Sequence, residues 1–152
     1  MSIVSLSGAT FPATWLPSTA DPGSFFPHGD GTLQATVSVP RARRYDVSIG
    51  GSFRRRLEIW VDGKLVGKAR DQLNHPGAFT PFGSVSLASG QHSILLTYGG
   101  ANLLPGSGGV PFALGPIVLS RTTEELPVTY VQPGNARSLC GKSLDWVEAA
   151  AG

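Results

Sequence analysis

One cysteine, few charges and no long apolar run characterise this chain, and each shortage excludes a class of protein. With Cys140 alone among 152 residues, there is no internal disulfide and no cysteine-based zinc site. Asp, Glu, Lys and Arg make up 14% of the sequence, well below the roughly one quarter of an average soluble chain. The formal net charge is +2, so overall charge gives no reason to expect nucleic acid as a partner. No apolar stretch is long enough for a membrane-spanning helix, so a membrane is expected only through a parent chain. Met1-Ser2-Ile3-Val4 lacks the basic start and long apolar middle of a secretory signal. That start predicts either a cytoplasmic protein or a domain within a larger exported chain. The ending Glu148-Ala149-Ala150-Ala151-Gly152 reads as such a domain boundary.

A catalytic set is also missing. Glu58, Asp62, Glu124, Glu125, Asp145 and Glu148 are scattered, whereas glycoside hydrolysis needs two carboxylates that converge. His28, His75 and His92 are far apart, and no Gly-x-Ser-x-Gly is present, which argues against a serine nucleophile with its base. Gly106-Ser107-Gly108-Gly109 has no following Lys-Ser/Thr and is no phosphate loop. His/Asp spacing does not suit a metal. A calcium held by Asp21, Asp30 or Asp145 has no motif behind it. The expectation is a non-enzyme without cofactor.

What is present is sheet and loop. The chain has 20 glycines and 12 prolines, and 41% of it is hydrophobic. Its apolar residues recur at every second position, the period of a half-buried strand. Ser5–Thr10 reads as a first strand. Pro12–Gly31 reads as a loop that tucks some of Trp15, Phe25 and Phe26 beneath the domain. Strands follow at Thr32–Val39, from Tyr45 to Ile49, and from Leu57 to Val61. Asp62-Gly63 then supplies a two-residue hairpin turn into Lys64–Ala69. Arg70–Thr80 reads as a polar loop, followed by a strand at Val85 and Leu87, a Ser89-Gly90 turn and a strand over His92–Tyr98. Gly99–Val110 is a long Gly-rich loop. Leu114–Ser120 is a strand whose continuous Ile117-Val118-Leu119 predicts burial on both faces. Val128–Val131 suggests one more edge strand, and Ser143 caps a short helical turn through Leu144, Trp146 and Val147. Regular strands with turns between them predict an all-β fold, an antiparallel β-sandwich. It forms a single domain over 1–152, with a loop-rich segment at about 10–31 and a tail at about 132–152 packed on it.

The segments Tyr45-Asp46-Val47-Ser48-Ile49, Leu57-Glu58-Ile59-Trp60-Val61-Asp62-Gly63-Lys64, Gly77-Ala78-Phe79 and Gly90-Gln91-His92-Ser93-Ile94-Leu95-Leu96 form a pattern. It resembles carbohydrate-binding modules of the galactose-binding-like jelly-roll type, over about half the chain. Gly99-Gly100-Ala101-Asn102-Leu103-Leu104-Pro105-Gly106, then Leu114-Gly115-Pro116-Ile117-Val118-Leu119, is similar to extracytoplasmic modules of actinobacterial membrane glycosyltransferases, as is Arg137–Val147. The resemblance implies a jelly roll and a glycan ligand. Phe79 stands where those modules stack a sugar on Trp or Tyr. Phe112-Ala113-Leu114 replaces their usual asparagine, and Ser2–Gly8 lacks the acidic residues of their calcium-bearing strand.

Sugar recognition needs an exposed aromatic face for the apolar side of a pyranose, plus amides, carboxylates or Arg for its hydroxyls. The candidates are Phe79 after the Pro76-Gly77 turn, Arg70, Asp71 and Asn74 in the loop before it, and Asn102 in the Gly-rich loop. Each has a plain alternative, Phe79 as a plug in the rim and the polar residues as turn ligands. Trp60 alternates with Ile59 and Val61 and so points outward, either as a stacking platform or beneath a covering segment. The clusters Arg41-Arg43-Arg44 and Arg54-Arg55-Arg56 read as solvated strand ends or as contacts for an acidic polysaccharide or anionic lipid. Cys140 reads as a small buried or half-buried residue. The function expected is a non-catalytic module binding a cell-envelope polysaccharide or oligosaccharide, extracytoplasmic within a larger enzyme. The alternative is a structural or protein-interaction domain using Trp60, Phe25, Phe26 and the basic clusters.

Overall fold

A computed structural model of the protein describes residues 1–70, 77–101, 112–122 and 133–140. The chain divides into two compact units, Met1–Thr122 and Thr123–Gly152. The first is an antiparallel β-sandwich whose described residues form ten strands: β1 (Ser2–Ile3), β2 (Leu16–Pro17), β3 (Phe25–Phe26), β4 (Gly31–Val39), β5 (Arg43–Gly51), β6 (Arg56–Val61), β7 (Lys64–Ala69), β8 (Phe79–Leu87), β9 (Gly90–Gly99) and β10 (Leu114–Arg121). One sheet has the order β2-β3-β10-β5-β8, with β1 also on β10; the other runs β4-β9-β6-β7. The expected all-β jelly-roll sandwich is what the chain forms.

Alternation builds both layers. In β4, Leu33, Ala35, Val37 and Val39 face inward while Thr32, Gln34, Thr36 and Ser38 face water. In β5, Tyr45, Val47 and Ile49 do the same opposite Leu57, Ile59 and Val61 of β6. Burying this apolar surface between two sheets is the main driving force for the fold. Ile117, Val118 and Leu119 of β10 are all buried, as their unbroken apolar run predicts. The β6–β7 hairpin turns at Asp62 (φ 47) and Gly63 (φ 75), the left-handed pair that an Asp-Gly turn supplies.

The two sheets meet backbone to backbone along one side. A Cβ on Gly67 of β7 would collide with the carbonyl oxygen of Phe82 in β8, and one on Gly83 would sit 2.8 Å from the carbonyl oxygen of Val66. Only glycine lets the strands come this close. On the other side the N-terminal segment bridges the layers. Val4 N–H donates to Ile117 O at 3.0 Å, and Thr10 exchanges two 2.8 Å hydrogen bonds with Gln34.

Three elements differ from the sequence expectation. Ser5–Thr10 is not a strand: β1 is Ser2–Ile3, and of the expected segment only Thr10 makes a bridge. A turn at Leu6–Ala9 interrupts it. The Pro12–Gly31 loop contains the short β2 and β3, which pair with each other. Strand β8 starts at Phe79, six residues before Val85, because Thr80 and Phe82 already face the core while Phe79 and Pro81 face out. Within the second unit, Pro133–Leu139 is a 3₁₀ helix. Cys140 N–H closes it by donating to Arg137 O at 3.2 Å, and Cys140 is exposed rather than buried, since the turn leaves it facing solvent. The predicted Val128–Val131 strand and the Ser143 turn lie outside the described residues.

Candidate glycan-binding site

Aromatic residues crowd the end of the sandwich where β4 and β6 begin and β5 and β9 finish. Trp15 is buried there, stacked on Phe25 at 5.2 Å with planes 7° apart and meeting Tyr98 edge-on at 6.1 Å. Its indole N–H donates to Gly29 O at 3.2 Å. These contacts fasten the N-terminal loop to the core, and such aromatic pairs add to plain burial. Burial pushes the Tyr98 phenol above its usual range. The expectation that the loop tucks its aromatics inward holds for Trp15 and Phe25.

Two further aromatics at this end face water. Phe79 is 49% exposed and Phe112 39% exposed. Phe79 pairs with Gly50 in the β5–β8 register, and the adjoining Gly51 pairs with Leu114 on β10. A Cβ on Gly50 would lie 3.3 Å from Cε1 of Phe79 and 2.7 Å from Gly115 O. The Phe79 ring therefore leans over bare backbone, held by a flat floor and open above. The Arg54 guanidinium lies 5.0 Å from the centroid of Phe112, a cation–π distance. Phe79 stands outside the core cluster.

The neighbouring basic run is used internally. Arg55 pairs with Asp30 and also donates to Gly100 O at 3.3 Å, while Gly100 N–H donates to the other Asp30 oxygen at 3.3 Å. Arg56 lies 3.4 Å from Glu58. Arg54, Arg55 and Arg56 thus go to three different partners and form no common anion site. The Asp30–Arg55–Gly100 clamp ties the starts of β4 and β6 to the end of β9, steadying the platform on which the aromatics sit.

The remaining predicted residues divide. Arg70 is exposed just beyond β7. Asp71, Asn74 and Asn102 lie outside the described residues. Trp60 points outward as expected, but from the four-stranded sheet, whereas Phe79 points outward from the other. The two aromatics occupy opposite faces and cannot hold the same sugar. Sequence reasoning had Arg54 only as part of a basic cluster and missed Phe112 as a contact residue. Its signal was the aromatic at position 112 two residues before a strand that borders Gly51, legible only once β10 is known to pair with β5.

The solved family 35 carbohydrate-binding module from Paenibacillus barcinonensis superposes on the sandwich with a TM-score of 0.52, at 12% identity, over 80% of this chain and 99% of that one. The chain shares its jelly-roll fold. A family 35 module from Clostridium thermocellum gives a TM-score of 0.47 at 16% identity, covering 75% of this chain and 96% of the module. The Podospora anserina GH26-CBM35 β-(1,4)-mannanase gives 0.47 at 17% identity, over 83% of this chain and 27% of the enzyme. The chain thus spans about a quarter of that mannanase. No family model matches the sequence, and no curated protein matches it.

Two carboxylates of the sandwich are engaged in fixed contacts elsewhere. Asp46, on the outer face of β5, accepts from the hydroxyls of Ser84 at 2.6 Å and Thr122 at 2.8 Å. These two hydrogen bonds, with Arg44 nearby, hold its carboxyl below the usual carboxylate range. Asp62 accepts from His92 and Ser93 at the opposite end from Phe79. Among the described residues, no group of three His, Cys, Asp or Glu side chains gathers as a metal site would require.

Proposed function

We propose that this protein is a non-catalytic carbohydrate-binding module that holds a glycan against Phe79. One observation carries the reading. Phe79 is half exposed, sits outside the core, and leans over the side-chain-free backbone of Gly50. A half-exposed ring over bare backbone offers an apolar platform that a ligand can cover. A pyranose presents an apolar face to such a ring, and Phe112, with Arg54 over it, is a second exposed aromatic at this end of the sandwich. The shared fold with a family 35 module supports this reading.

The protein-interaction alternative is left with Trp60, Phe26 and the Arg41-Arg43-Arg44 cluster. Phe25 is buried in the core, and Arg55 and Arg56 are paired within the chain. We further propose that the module belongs to a larger extracytoplasmic enzyme of the cell envelope. The similarity of its Gly99–Gly106 and Leu114–Leu119 segments to glycosyltransferase modules supports that setting. There it would raise the effective concentration of glycan near a separate catalytic domain.

Calorimetric titration of envelope oligosaccharides into the wild type and Phe79→Ala tests the proposal. Binding by the wild type and its loss in a folded Phe79→Ala protein is the expected result. Equal binding by both would remove Phe79 from the site.

A further inference from the structure

The outer face of the four-stranded sheet carries an aromatic of its own. Register aligns Leu65, Trp60 and Leu95 across β7, β6 and β9, and Gln34 of β4 continues the row. Leu65 is 38% exposed, and Trp60 and Leu95 are half-buried. With strands about 4.8 Å apart, the apolar part of the row is ~10 Å wide. The adjacent row consists of Lys68, Glu58, Thr97 and Thr32. Glu58 sits between Arg56 at 3.4 Å and Lys68 at 3.3 Å, so its charge is balanced.

Trp60 is unusual within this row. Its indole N–H is sealed from solvent and has no hydrogen-bond partner among the described residues. A buried donor left unpaired carries a desolvation cost that phenylalanine at the same position would avoid. The part of the ring that solvent does reach is therefore carbon. This is a stacking surface, not a hydrogen-bonding one.

We propose that this row is a second glycan-contact surface, on which a neutral, unbranched polysaccharide lies across β7, β6, β9 and β4 with one pyranose stacked on Trp60. The inference rests on reading the domain as a carbohydrate module. It adds that the module grips its polysaccharide on two faces, since Trp60 and Phe79 belong to different sheets. Several features favour a glycan over a protein. The apolar strip is a single row, whereas a stable protein interface covers about 800 Å² per partner around an apolar centre. Its borders are hydroxyls, an amide and the mutually neutralising Lys68–Glu58 pair, which suit the hydroxyls of an uncharged sugar.

The test uses affinity electrophoresis of the full chain in gels containing a neutral polysaccharide such as mannan, xylan or β-glucan, paired with calorimetry on the matching short oligosaccharide. Trp60→Ala should weaken polysaccharide retention at least tenfold and leave oligosaccharide binding at the Phe79 end unchanged. Trp60→Phe, which keeps a stacking ring, should retain most of it. Leu65→Ser, at the exposed end of the row, gives the same readout should Trp60→Ala fold poorly. Unchanged retention by Trp60→Ala and Leu65→Ser, with loss in Phe79→Ala, overturns this inference and leaves the function proposed above standing. No retention of the folded wild type on any of these polysaccharides overturns both. Self-association of the wild type that disappears in Trp60→Ala, without change in retention, assigns the row to a protein contact and also overturns the inference.

Discussion

His92 is clasped between two acceptors: Nδ1 lies 2.7 Å from Asp62 Oδ2 and Nε2 lies 3.0 Å from Ala88 O. Only the imidazolium can donate to both at once. Its side chain is 10% exposed, at the end of β9 away from Phe79, and the contacts bind the β6–β7 turn to the β8–β9 turn. The hydrogen bond to Asp62 raises the His92 pKa, and the same bond from His92, aided by Ser93, lowers that of Asp62.

Stability should therefore be greatest between two limits. The His92 contribution is fully present below its unfolded pKa of about 6.5 and is lost as pH rises through the raised folded value. The Asp62 contribution is present above its unfolded pKa of about 3.9 and is lost as pH falls through the lowered folded value. Melting temperature measured against pH should fall on both sides of this window. His92→Gln should flatten the alkaline limb; an unchanged limb would mean that the clasp contributes nothing.

Gly67→Ala should be among the most damaging single-methyl substitutions in the sandwich. The new methyl would meet the Phe82 carbonyl oxygen, which is backbone and cannot swing aside. A loss of about 1–3 kcal/mol or more in urea unfolding is expected, as for other overpacked sites. Gly63→Ala is the control: its Cβ meets nothing, so only the left-handed backbone opposes it, at roughly 1–2 kcal/mol. A Gly67 variant no less stable than the Gly63 variant would contradict the close approach of β7 and β8.

Trp15→Ala should cost about 3–5 kcal/mol, the range for removing a large buried aromatic. Because Trp15 fastens the Pro12–Gly31 loop through Phe25, Tyr98 and Gly29 O, limited proteolysis should then cut within that loop. Protection equal to the wild type would show that the loop is held by something else.

Phe79→Ala should barely change the unfolding midpoint, by less than about 1 kcal/mol, since the ring lies half in water outside the core. The same substitution is the one expected to abolish glycan binding. A large drop in stability would return Phe79 to a structural role.

The sequence displayed the architecture more openly than the site. Alternation and the Asp62-Gly63 turn are local properties, so the span from Gly31 to Ala69 could be read almost residue by residue. Ser5–Thr10 misled because its small apolar residues fit a strand, while the partner that decides the matter, Gln34, lies far along the chain. The early start of β8 was hidden by Pro81 and Gly83, both of which usually argue against a strand interior but sit here where the register shifts. The site suffered from a different limit. Trp60 could be identified as an outward aromatic within its own strand and Phe79 as an aromatic of the loop after Pro76-Gly77, yet which sheet each joins depends on long-range pairing. Phe112 entered the site for the same reason.

The meeting of Gly67 with Phe82 also bears on how the domain fares in a crowd. β7 and β8 are the last strands of their sheets on that side, the places where a stray chain most readily adds itself to a sandwich. Here each shields the other at van der Waals range. Crowded copies of the domain would thus be denied an easy route to runaway strand exchange, and two missing methyl groups are what keep that route shut.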